Sequence, residues 1–100
     1  MSPLEAQLTR LAIAGETVTY GALARDLGLR MAVMTGMLEG LMEADAAADL
    51  PLRAVVCTGR PLGDMPAEGF FIKALQLGFD VTDRRAFVAA QRLALQRQPG

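Results

Sequence analysis

The sequence predicts a mainly α fold with a minimal β component, built around a helix-turn-helix core. Three observations point there. Capped, amphipathic helical patterns open the chain and continue through residue 48; a single apolar, β-branched run follows Pro51; and two further helical patterns close the chain. With 100 residues, 52% of them hydrophobic, and a net charge of -1, the chain has the composition of one folded domain.

The first helix is announced by Ser2 as cap, Pro3 at the first helical position and Glu5 completing a capping box. Leu4, Leu8 and Leu11 recur on one face, and Gly15 ends the helix. Residues 16–19, Glu-Thr-Val-Thr, read as a short extended connector. Thr19 then caps a two-turn helix from Tyr20 to Leu27, stopped by Gly28. A third helix is expected from Met31 into the alanine-rich 44–48 stretch, with Met34, Met37, Leu38, Leu41 and Met42 as its apolar stripe. Gly36 and Gly40, spaced i, i+4 inside it, predict close approach by another backbone.

Pro51 closes that segment, and Leu52–Thr58 is the best strand candidate. The turn-rich residues 59–66 suit either a wing or an ordinary link. Ala67 to Leu77 reads as a helix burying Phe70, Phe71, Ala74 and Leu75, with Gly78 as its cap and Phe79 folding back. A last helix is expected over 83–98, capped by Thr82, with Ala86, Phe87, Ala90, Leu93 and Ala94 facing inward. Phe70, Phe71, Phe79 and Phe87 are expected to share one cluster. The sum is a single winged-helix-like domain over residues 1–100, its core at about 3–77, with one or two extra C-terminal helices, the last at about 83–98.

The chain has no histidine, which excludes Ser-His-Asp and Cys-His nucleophiles and His-ligated zinc. Cys57 is the single cysteine, so neither an intrachain disulfide nor a cysteine metal cluster forms, in keeping with a cytoplasmic protein. No apolar run reaches the length of a membrane-spanning helix, so no membrane partner is expected, and no metal or organic cofactor is implied. Charge is placed unevenly. Residues 31–52 carry Glu39, Glu43, Asp45 and Asp49 without a basic partner, while 82–100 carry four arginines against Asp83. Such opposite segments pair within a molecule or between molecules, and the acidic run by itself reads as a solvated face.

Residues 15–24, Gly-Glu-Thr-Val-Thr-Tyr-Gly-Ala-Leu-Ala, resemble the stretch joining the first helix to the helix-turn-helix in the C-terminal domain of O6-alkylguanine-DNA alkyltransferases. In that family a strand with a Pro-Cys-His-Arg motif follows the recognition helix, then a Gly-Tyr segment and a Lys-bearing helix. Val56-Cys57-Thr58-Gly59-Arg60, Gly69-Phe70 and Lys73 stand in the same order, so the resemblance covers about residues 3–77. It implies that Tyr20 occupies the place of the tyrosine that handles the target nucleotide. On its own, a tyrosine at a helix start is expected to pack with its hydroxyl outward. The chain departs from the family at the chemistry. Thr58 stands where the family has the histidine that activates the acceptor cysteine, Val56 replaces the proline, and Met31 takes the place of the intercalating arginine with Arg30 one position away. Without a base, Cys57 is expected to be an ordinary thiol rather than an alkyl acceptor, so no enzymatic activity is expected.

Residues 52–78 also resemble small bacterial proteins of no established activity, some described as phosphoribosyl-pyrophosphate synthetases. That chemistry finds no support here. The glycine-rich 59–69 stretch lacks both the Lys-Ser/Thr ending of a P-loop and dinucleotide-binding spacing. Two functions are carried forward. The first is weak nucleic-acid binding, DNA being the expected partner, through Tyr20, Arg25, Arg30, Thr35 and Arg60, with Arg84 and Arg85 as further phosphate contacts. Against it stand a pI near 5.3 and the acids of the third helix. The alternative is a protein-interaction or self-association module, such as a homodimer, that uses the methionine-rich third helix and the two charged segments.

Overall fold

A computed structural model describes residues 1–59 and 63–98. In order it contains α1 (Pro3–Ala14), β1 (Val18–Thr19), α2 (Tyr20–Leu27), α3 (Met31–Ala47), a 3₁₀ helix (Arg53–Val56), β2 (Cys57–Thr58), α4 (Glu68–Gln76) and α5 (Arg84–Arg97). The protein is mainly α with a two-stranded sheet, in which β1 and β2 run parallel with Val18 opposite Cys57 and Thr19 opposite Thr58.

The helix ends follow the local chemistry of the chain. The Ser2 hydroxyl accepts from the Glu5 N–H at 3.2 Å, and the Thr19 hydroxyl from the Ala22 N–H at 3.1 Å. Gly15 and Gly28 close α1 and α2 in the left-handed region, with φ of 73° and 66°. At the far end, Asp83 rather than Thr82 caps α5, its carboxylate accepting from the Ala86 N–H. Asp80 accepts from the Thr82 N–H instead.

The core is one cluster. Leu4, Leu8 and Leu11 of α1, Leu23 of α2 and Met34, Leu38, Leu41 and Met42 of α3 meet Leu52, Val55 and Val56 at its centre. Met37, expected in the stripe, is exposed at its edge. The aromatic cluster forms as expected, with Phe70 5.2 Å from Phe71 and 6.2 Å from Phe87, and Phe79 5.6 Å from Phe87.

Residues 52–58 correct the expected strand. A strand needs a ladder partner, and β1 offers only two residues. The remaining backbone groups bond elsewhere: the Leu52 N–H to Gln91 Oε1 at 2.8 Å, the Arg53 N–H to Asp45 Oδ2 at 3.1 Å and the Val55 N–H to the Leu52 carbonyl. The chain therefore coils into a 3₁₀ turn before reaching β2. Beyond β2 the Gly59 N–H bonds the Met65 carbonyl, and the described part of 59–66 contains no strand.

Two apolar faces also depart from expectation. On α5 the buried residues are Val88 and Leu95, whereas Ala86, Ala90 and Leu93 face outward. The inner face is taken by Gln91 and Arg92, whose long side chains satisfy the backbone of 52–55. On α4, Leu75 lies outside the contact made by Phe70, Phe71 and Ala74 and is 63% exposed.

Within the molecule no other backbone approaches Gly36 or Gly40: a Cβ added at either meets nothing within 4 Å. Each therefore carries the helix cost of glycine without a packing return. Gly36→Ala and Gly40→Ala are each expected to stabilise the protein by about 0.8–1 kcal/mol. Thermal melts of dilute protein check this, and a fall in melting temperature would refute it.

Candidate functional site

A cleft of about 800 Å³ opens between α2, the first half of α3 and the start of α4, with β2 and the 3₁₀ helix at its back. Its walls are largely apolar, from Met31, Leu38, Met42 and Phe70, and polar groups enter from Tyr20, Arg25, Thr35, Glu39 and Thr58. This mixture of apolar lining and a few convergent polar groups is what ligand-sized sites present. It exists because α2 and α3, joined by residues 28–30, diverge from their turn, and α4 begins across the opening.

Tyr20 sits at the first position of α2, set there by the Thr19 cap. Its hydroxyl turns inward, contrary to the outward orientation expected, and accepts a 3.1 Å bond from the Ala67 N–H at the start of α4. Burial pushes its pKa up to about 12, so the phenol stays protonated at neutral pH. Arg25, one turn on, is largely exposed and only 3.8 Å from Asp26, an ion pair of little energetic weight. Thr35 donates its hydroxyl hydrogen to the Met31 carbonyl at 2.9 Å and offers its oxygen to the cleft.

The structure thus brings Tyr20, Arg25 and Thr35 into one cleft. Arg30 lies outside its lining, exposed at the start of α3, and Arg60 falls outside the described residues. Arg84 is held by Glu68 in a two-pronged ion pair and stacks 4.5 Å over the Phe71 ring. That pairing leaves Arg84 committed within the protein.

Cys57 is fully buried in β2, and loss of hydration pushes its thiol up to about 12, with nearby Arg92 opposing the shift weakly. The thiol therefore stays protonated at neutral pH and out of contact with solvent, the surroundings of a packing cysteine. Thr58, beside it, donates to the Val18 carbonyl at 3.5 Å and supplies no base. Among the described residues no group of three or more His, Cys, Asp or Glu is arranged to hold a metal ion, and no helix is long and apolar enough to cross a membrane.

The acidic residues of 31–52 lie on a solvated face except for Asp45: Glu39, Glu43 and Asp49 are exposed. Asp45 is buried and bonded to Arg53 by 2.8–3.2 Å contacts, and Glu43 takes Lys73 at 2.9 Å. Of the acids on this segment, Glu39 and Asp49 form no ion pair among the described residues. Sequence reading missed the pairing of Asp45 with Arg53 across eight residues, which ties α3 to the 3₁₀ helix and, through Thr9 and Glu5, to α1. No local pattern signals it, because the two residues belong to different elements. Compared with protein-family models, curated proteins and solved structures, the chain finds no match.

Proposed function

We propose that this chain binds DNA without modifying it. α2 and α3 act as the helix-turn-helix of a winged-helix-like domain, and the cleft beside Tyr20 receives one unstacked base. The observation that carries this reading is the cleft itself, which gathers Tyr20, Arg25 and Thr35 around a largely apolar-walled cavity with ample room for one base. The sequence resemblance to the alkyltransferases, carried by Tyr20, Cys57 and Gly69-Phe70, supports the same reading. The unfavourable charge of α3 weighs less than the residue count suggests, because Asp45 and Glu43 are already neutralised. Arg25 and Arg30 supply phosphate contacts, and the protonated Tyr20 contributes an aromatic surface.

Fluorescence anisotropy on duplexes with and without an O6-alkylguanine tests the reading. Two or three phosphate contacts predict micromolar binding at low salt and a log–log salt slope of about -2. The double variant R25A/R30A is expected to weaken binding roughly tenfold on every sequence. Thr35→Trp, which fills the cleft, should remove the preference for the modified duplex and leave the salt-dependent part in place. Absence of binding at low salt, or a double variant with unchanged affinity, would overturn the proposal.

A further inference from the structure

Two helix faces that the sequence makes apolar lie uncovered. On α3, Val33, Gly36, Met37, Gly40 and Ala44 share the flank turned away from the core, and all are exposed. On α5, Ala86, Ala89, Ala90 and Leu93 form the corresponding outer face, with Leu93 46% exposed. At 1.5 Å per residue these faces run for about 17 Å and about 11 Å. Both consist mostly of side chains small enough for helix axes to approach to about 8 Å.

Their borders carry opposite charge. Glu39, which forms no ion pair among the described residues, borders the α3 face, with Glu43 beyond it already held by Lys73, whereas Arg85 and Arg97, also without an ion pair among the described residues, border that of α5. No ion pair among the described residues joins the acidic 31–52 segment to the basic 82–98 segment within the molecule. Packing α3 on α3 would bring two unpaired glutamates together, and packing α5 on α5 four arginines. Only α3 against α5 matches apolar face to apolar face and acid to base.

We propose that the chain self-associates head to tail, the outer face of α3 in one copy seating on the outer face of α5 in the next. The occupant of both surfaces is a second copy of this chain. Such a contact is heterologous, so each pair retains one free face of each kind and growth beyond a dimer follows unless the ring closes. The small side chains bury less than the roughly 1,000 Å² of a stable interface, so the association is weak and depends on concentration. This inference does not rest on nucleic-acid binding: Val33, Gly36, Met37, Gly40 and Ala44 are not part of the cleft lining, and only Glu39 borders both surfaces.

Sedimentation equilibrium from about 10 µM to about 1 mM, at low and high salt, tests it. The weight-average mass is expected to rise from 10.6 kDa to at least about twice that at the upper concentrations, and salt should suppress the rise. Gly40→Arg blocks the α3 face and Ala90→Glu the α5 face. Both positions are exposed, so circular dichroism should show each variant folded. Each alone is expected to stay monomeric, and an equimolar mixture to form a 1:1 heterodimer, because one retains an intact α5 face and the other an intact α3 face. A wild-type protein monomeric throughout overturns the proposal. So does a mixture that stays monomeric while the wild type associates, or association that occurs only when DNA is added.

Discussion

Asp45→Ala is expected to lower stability by about 3 kcal/mol, the largest loss predicted for any single polar side chain of this protein. Asp45 is 2% exposed, and its carboxylate accepts the Arg53 backbone N–H at 3.1 Å, Nη2 at 2.8 Å and Nε at 3.2 Å. Removal leaves a buried N–H without an acceptor and a guanidinium that retains only Thr9 at 3.3 Å and Glu5 at 3.6 Å. Glu5 is partly exposed, and its longer contact recovers part of the loss, which places the expected value at the lower end for a broken buried pair. In a domain of this size that corresponds to a fall of roughly 15 °C in melting temperature. Asp45→Asn keeps one oxygen acceptor and should cost about half as much. Urea denaturation of the three proteins checks both values. A loss below about 1 kcal/mol for alanine would show that Arg53 finds full compensation elsewhere.

Alkaline pH is expected to unfold the protein through Cys57. An acid whose pKa folding pushes up favours the folded state as long as it stays neutral. That stability is complete below the unfolded-state pKa of 9.0 and drains away as pH rises toward the folded value of about 12. Each pH unit in that window costs about 1.4 kcal/mol, so the thiol alone removes on the order of 4 kcal/mol by its upper end. Tyr20, raised from 10.0 to about 12 mainly by burial, adds to the loss in the upper part of the same window. Between pH 9 and 10 the thiol acts nearly alone. Unfolding free energies from urea titrations between those pH values should fall by about 1 kcal/mol more for wild type than for Cys57→Ala, which has nothing to ionise at that position. Identical pH dependence in the two proteins would mean that the thiol is hydrated in the folded state. The same experiment bears on function, because a thiol that resists ionisation to about pH 12 is a packing residue of β2 and not an alkyl acceptor.

Much of the architecture was legible because it is set by neighbours along the chain. Caps at Ser2 and Thr19, glycines at 15 and 28 and the leucine spacing of α1 act within one or two turns, so the bounds of α1, α2 and α3 were readable to within a residue or two. Arg25 and Thr35 were legible as candidates from their residue types and from the helix-turn-helix pattern, and Tyr20 from the resemblance to the alkyltransferases. Their meeting in one cleft was not, because it depends on where α4 begins. The inward turn of the Tyr20 hydroxyl is set by the Ala67 N–H, which lies 47 residues away.

Tertiary contacts decided the rest. Residues 52–58 have the composition of a strand, yet only Cys57 and Thr58 find a parallel partner, while Gln91, Asp45 and Arg92 take the hydrogen bonds of the residues before them. The same bonds turn α5 about its axis. Burying Gln91 and Arg92 where they can serve that backbone leaves Ala86, Ala90 and Leu93 in solvent, against the helix's own apolar pattern. The acids of α3 were readable as charges, but which of them would be buried depended on Arg53 and Lys73 arriving from other elements. Local sequence determines where helices start and stop because capping and periodicity are short-range. Which face each helix buries is a competition among distant backbone groups for partners, and it is resolved only when the chain is folded.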